Sequence, residues 1–208
     1  MMYPKENALV HWIFSSYVKW LVGKTFNKFN YNNIDVDAGK SVLLVANHFS
    51  FWDGLILFLI SKRLWKKKFH VMILKETAVH SSILRYAGAF SVSKNSRDML
   101  QSLNYAAGLL QNPDNLVLMF PQGKLYSNFI DRINFNKGIM RLIEKAEGKF
   151  RLVFAATFIQ YLKHKKPSVT VYFKNEPGNY AGRSIKELQD NYQQHYQAAK
   201  QLETEIEI

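Results

Sequence analysis

Two side chains able to move a proton between them stand close together in Asn47-His48-Phe49-Ser50-Phe51-Trp52-Asp53. A carboxylate this soon after a histidine can reach one imidazole nitrogen across a tight turn. It then fixes the tautomer and leaves the other nitrogen free to accept a proton. That is the equipment of a general base. No serine or cysteine nucleophile is needed when the substrate brings its own hydroxyl, and the chain contains no Cys. A second useful stretch is Phe120-Pro121-Gln122-Gly123. A Pro-x-Gly turn can present backbone N–H groups to an anion or oxyanion.

Both stretches need a scaffold to bring them together. Residues 41–46 are a short continuous apolar run, as expected of a strand buried on both faces. His48 then emerges at the carboxyl end of that strand, where sites form in parallel α/β sheets, and Asp53 opens the next helix at 54–65. Residues 116–120 read as another strand, which places Phe120 to Gly123 at the same sheet edge. Further strands are expected at 69–74, 89–92, 151–158 and 168–173, and helices at 76–86, 97–111 and 138–146. Ser96 is the expected N-cap of the 97–111 helix. Ser184 and Glu187 make a capping box that opens the last helix. Strands alternating with helices imply an α/β domain with a mostly parallel central sheet flanked by helices, without repeats or internal linkers.

The N-terminal segment has a different character. Residues 8–22 read as a helix in which His11, Ser15 and Lys19 form one narrow polar stripe. The remainder is apolar or aromatic, and Trp12, Tyr17 and Trp20 suit a membrane interface because their rings carry a polar edge. The run is too short and too interrupted to span a bilayer, and it has no signal-peptide cleavage site. The expected division is an amphipathic, membrane-interface helical segment over 1–35 followed by a catalytic α/β domain over 36–208.

Composition narrows the partners. The 208 residues are 48% hydrophobic, enough for a sizeable core, and 28 Lys and Arg against 16 Asp and Glu leave a net charge of +12. Such a charge calls for an anionic surface or partner. The basic clusters are Lys62-Arg63 with Lys66-Lys67-Lys68, and the Lys163 to Lys166 stretch around His164. A nucleic-acid module would use them with Trp65 and Phe69, but no recognisable nucleic-acid motif is present. The chain has no P-loop, no G-x-G-x-x-G, no G-x-S-x-G elbow and no histidine pattern of a metal site.

At these residues the sequence resembles the glycerolipid acyltransferase family, which contains bacterial 1-acylglycerol-3-phosphate acyltransferases. Asn47-His48-Phe49-Ser50-Phe51-Trp52-Asp53 is similar to its first block, N-H-x-S-x-x-D. Gly88-Ala89-Phe90-Ser91-Val92-Ser93-Lys94 resembles the second, a Gly and an apolar run ending in Arg. Phe120-Pro121-Gln122-Gly123 resembles the third, F-P-E-G-T-R, and Val153-Phe154-Ala155-Ala156 falls where the fourth is expected. Departures from the pattern bear on how an acceptor would be held. Gln122 stands for Glu, Leu125 for Arg and Lys94 for Arg, and the fourth block lacks its Pro. An ammonium and a bidentate guanidinium are not equivalent phosphate ligands.

The resemblance implies His48 as general base and Asp53 as its orienting partner. It implies a substrate-binding set of Asn47, Ser50, Lys94, Phe120, Pro121, Gln122, Gly123 and Lys124, with no metal and no cofactor. The donor would be acyl-CoA or acyl carrier protein as co-substrate. The acceptor would be a lysophosphatidate-like glycerolipid held by Lys94 and Lys124, or a lipid without phosphate such as an amino-acid lipid. The expected setting is an anionic membrane surface on the cytoplasmic face, with no nucleic acid as partner.

Overall fold

A computed structural model describes residues 1–80, 82–92 and 96–206. Its centre is a seven-stranded sheet in the order β1-β7-β6-β2-β5-β3-β4. The strands are β1 (Phe29–Tyr31), β2 (Ser41–Ala46), β3 (Lys68–Leu74), β4 (Ala89–Val92), β5 (Asn115–Met119), β6 (Phe150–Gln160) and β7 (Ser168–Glu176). β2 to β6 all run the same way. β7 runs against β6, and β1 runs with β7. The sheet is thus mostly parallel, with a reversed pair at one edge. β2 and β5 are buried at every residue, as their unbroken apolar sequences require of strands covered on both faces.

Among the described residues, six helices cover the sheet: α1 (Ala8–Thr25), α2 (Trp52–Leu64), α3 (Lys75–His80), α4 (Ser96–Leu109), α5 (Gly138–Lys145) and α6 (Ile185–Thr204). The alternation of each strand divides its side chains between two cores. Leu43 and Val45 of β2 join α4, α5 and α6 on one face, while Val42, Leu44 and Ala46 join α1 and α2 on the other.

Several boundaries differ from the sequence reading, each for a local reason. The expected helix over 76–86 is instead α3 followed by a 3-10 turn at Ser82–Ala87. Gly88 then turns the chain into β4 at φ +88°, and a Cβ there would lie 1.8 Å from the Phe69 carbonyl oxygen, so only glycine fits. The expected N-cap Ser96 is in the first turn of α4 and adjoins residues 93–95, outside the described residues. Of the capping box, Ser184 accepts from the Glu187 N–H at 3.2 Å, whereas the Glu187 carboxylate turns to Arg183 at 2.6 Å.

β1 was not expected. Three residues carry no periodicity, and its pairing depends on β7, far along the chain. The Asn32 side chain extends that pairing, donating to Phe173 O and accepting from Phe173 N.

The helix α1 packs through Phe14, Val18 and Val22, and its polar stripe splits. Ser15 and His11 face Lys62 of α2, at 3.0 and 3.3 Å. His11 Nδ1 lies 3.0 Å from Tyr86 O, which makes Nδ1 the donor and Nε2 the acceptor for Lys62. Only Lys19 of the three is exposed. Among the described residues no helix is long and apolar enough to cross a membrane.

Candidate active site

The site forms where β2 ends. Asn47, 3% exposed, clamps the strand end to β6: its Nδ2 donates to Thr157 O at 2.9 Å and its Oδ1 accepts from Thr157 N at 2.8 Å. Tyr192 of α6 fastens the same stretch of β6 by donating to Ala155 O at 2.8 Å. Complete burial pushes its phenol well above the ordinary value, so it stays protonated and remains a donor. The chain leaving β2 therefore departs from a fixed point.

Residues 48–51 then wrap around the Asp53 carboxylate, which is fully buried in the first turn of α2. Its Oδ2 accepts from His48 Nδ1 at 2.8 Å, Phe49 N at 2.7 Å and Ser50 N at 2.9 Å. Its Oδ1 accepts from Ser50 Oγ at 2.7 Å, and that hydroxyl accepts in turn from Trp52 N at 3.2 Å. Four donors thus satisfy a charge that burial would otherwise make very costly. Because a carboxylate only accepts, Nδ1 carries the proton, and Nε2 is left as the acceptor on the open side. The His48 side chain is 26% exposed, so a substrate can reach it.

The turn after β5 braces this loop from the other side. The Phe120 ring stacks on the imidazole at 4.1 Å between centroids and 16° between planes. Gln122, 4% exposed, accepts the His48 backbone N–H on its Oε1 at 2.6 Å. The turn itself is closed by Gly123 N donating to Phe120 O at 3.1 Å, so that N–H is engaged within the turn. Asn136 seals it by donating from its backbone to Pro121 O and from Nδ2 to Gln122 O. Gly123 has φ +70°, and a Cβ on it would meet Asn136 Nδ2 at 2.5 Å.

An apolar pocket of about 390 Å³ opens beside His48, a volume within the range of small-molecule sites. It runs between α2 and the β3–β4 edge. Phe58, Phe69 and Val71, each less than a tenth exposed, line it deep in the protein, whereas Phe51 and Leu125 are more than half exposed. His48, Ser50, Phe120, Gly123 and Lys124 also border it. The Lys124 ammonium lies 5.0 Å from the centroid of the Tyr126 ring. A base beside a deep apolar slot suits a reactant that carries both a hydroxyl or thioester and a long hydrocarbon.

Of the residues singled out from the sequence, the structure gathers Asn47, His48, Ser50, Asp53, Phe120, Pro121, Gln122, Gly123 and Lys124 at one sheet edge. Lys94 lies outside the described residues. Asn47 and Gln122 bond to the backbone of Thr157 and His48, which holds the His48 loop in place. Sequence reasoning missed Thr157, Asn136 and the pocket wall. Their role comes from pairing with distant backbone, which no local pattern announces.

Comparison with known proteins bears on the fold and the family. The chain resembles the crystal structure of the 1-acyl-sn-glycerophosphate (LPA) acyltransferase PlsC from Thermotoga maritima, with a TM-score of 0.63 at 14% identity, over 91% of this chain and 78% of that one. At that identity the likeness is one of fold. A search of curated proteins finds no match. A family model described as Acyltransferase matches residues 28–172, which span β1 through most of β7 and include the site residues singled out from the sequence. The chain belongs to the acyltransferase family, as the resemblance of its motifs implied.

Proposed function

We propose that the protein transfers a fatty acyl group from acyl-CoA or acyl carrier protein to the hydroxyl of a lysophosphatidate-like glycerolipid. The observation that carries this reading is the free Nε2 of an Asp-anchored His48 at the mouth of a deep apolar pocket. In this reading Nε2 takes the proton of the acceptor hydroxyl as its oxygen attacks the thioester carbonyl. Asp53 stabilises the imidazolium that forms, and the proton passes to the departing thiolate. Lys124 supplies positive charge beside the developing oxyanion. The donor is a co-substrate, and the mechanism calls for no metal or cofactor.

Membrane contact belongs to the same reading. Within residues 1–35, α1 acts as an interfacial segment at the cytoplasmic face of the bilayer. Leu9, Trp12, Ile13, Tyr17 and Trp20 form a stripe along α1, each more than half exposed, which is the pattern of a helix lying in the headgroup region.

A second acceptor class rests on a specific observation. Leu125, 54% exposed on the pocket rim, stands where the family pattern has an arginine. An acceptor without phosphate, such as an amino-acid lipid or another hydroxylated lipid, needs no such cation. Paired assays on one preparation decide between the two. Transfer to lysophosphatidate that falls sharply in Lys94→Ala and Lys124→Ala is the expected result. Thioester consumption with an uncharged or zwitterionic hydroxylated lipid, and none with lysophosphatidate, would overturn the phosphate-bearing acceptor.

A further inference from the structure

At the sheet edge away from His48, three cations have ion partners: Lys149 with Glu147, Arg151 with Asp37, and Lys174 with Glu176. The turn joining β6 to β7 lies at the opposite edge. It carries Lys163, Lys165 and Lys166, all exposed and, among the described residues, without an ion pair.

Topology places this turn on the His48 side. β6 runs parallel to β2 and pairs Ala155 with Ala46. It then continues five residues further, to Gln160. At about 3.3 Å per residue, the turn stands roughly 16 Å beyond the level at which β2 ends. Two backbone hydrogen bonds tie its base to the exit of α1. Asn27 N donates to Pro167 O at 2.8 Å, and Val169 N donates to Lys28 O at 3.0 Å. Exposed Lys24 and Lys28 therefore neighbour the turn, and the Lys24 ammonium lies 5.0 Å from the Trp20 ring centroid.

We propose that the β6–β7 turn, together with Lys24 and Lys28, is the headgroup-contacting half of the membrane-docking surface, and that its partner is a bilayer rich in anionic lipid. This rests on the membrane reading above and deepens it. The lysines form a cluster of mobile point charges with no fixed fork geometry, suited to a diffuse layer of phosphates. The cluster is continuous with the exposed aromatic stripe of α1. Negative charge directly above hydrocarbon is what a bilayer surface offers, and an acidic protein has no need of the apolar stripe.

The test is vesicle binding by the full chain, with phosphatidylglycerol or phosphatidylcholine vesicles. Each lysine near an anionic surface contributes on the order of fivefold in binding, so K163Q/K165Q/K166Q should weaken binding to phosphatidylglycerol about 100-fold. Its weak binding to phosphatidylcholine should not change, whereas W12E/W20E should lose binding to both. Unchanged phosphatidylglycerol binding in the lysine variant, with loss in W12E/W20E, would overturn the role of the turn and leave the interfacial helix standing. Absence of wild-type binding to either vesicle would overturn both. A lysine variant that binds vesicles normally but accepts acyl groups poorly from carrier protein, and normally from acyl-CoA, would assign the turn to an acidic protein instead.

Discussion

Replacing Asp53 by Ala should lower acyl transfer by about 10⁴-fold and also lower the melting temperature, whereas Asp53→Asn should lose most of the activity and keep the fold. The difference follows from the donors that converge on the carboxylate. Three of them, His48 Nδ1 and the Phe49 and Ser50 N–H groups, meet on Oδ2. In the alanine variant these donors lose their acceptor in a buried loop, at about 1–3 kcal/mol for each that finds no replacement. An asparagine can set its oxygen where Oδ2 stood and its amide nitrogen against the Ser50 hydroxyl. The loop then survives, but the negative charge that steadies an imidazolium is gone, and an amide turned the other way favours the wrong imidazole tautomer. Thermal unfolding of the two variants beside their transfer rates checks this. Equal melting temperatures for Asp53→Ala and wild type would show that the carboxylate does not hold the loop.

The second large effect concerns His48 itself. Its replacement by Ala removes the proposed base and should cost about 10²–10⁴-fold in kcat. The structural cost should be small. The side chain is part-exposed, and it gives up mainly its stacking on Phe120, worth about 0.5–1.5 kcal/mol. Asp53 keeps three donors in this variant. With histidine and aspartate acting as one unit in the proposed mechanism, the double variant H48A/D53N should be no slower than H48A alone. A double variant much slower than either single one would mean that Asp53 has a separate catalytic role.

How far the sequence disclosed this architecture depended on where the information lies. The buried strands β2 and β5 were legible because an apolar run of that length has few other uses, and they place the two motifs at one edge. His48 and Asp53 were legible as a pair because both lie within a single turn. The reversed strands were harder to read. β1 is three residues long and exists through its pairing with β7, and the direction of β7 is decided by the tight 161–167 turn rather than by its own side chains. The interior bracing of the site was not legible. Asn47 and Gln122 look like ligands in a motif, yet each bonds to backbone brought close only by the fold, Thr157 and His48 respectively. Likewise His11 and Ser15 read as an outward polar stripe until Lys62 is seen to meet them.

The central claim is that an acceptor hydroxyl attacks the thioester directly, with His48 as base and no protein nucleophile. Ser50 Oγ, the hydroxyl nearest the base in sequence, is bonded to Asp53, and the chain has no cysteine. The most direct measurement is to mix the protein with thioester labelled in its acyl chain, quench within one turnover, and separate protein from lipid. The account predicts that label appears in an ester of the acceptor lipid, that none stays covalently on the protein when the acceptor is left out, and that H48A gives neither. Label that accumulates on the protein without acceptor, then passes into product when acceptor is added, would contradict it.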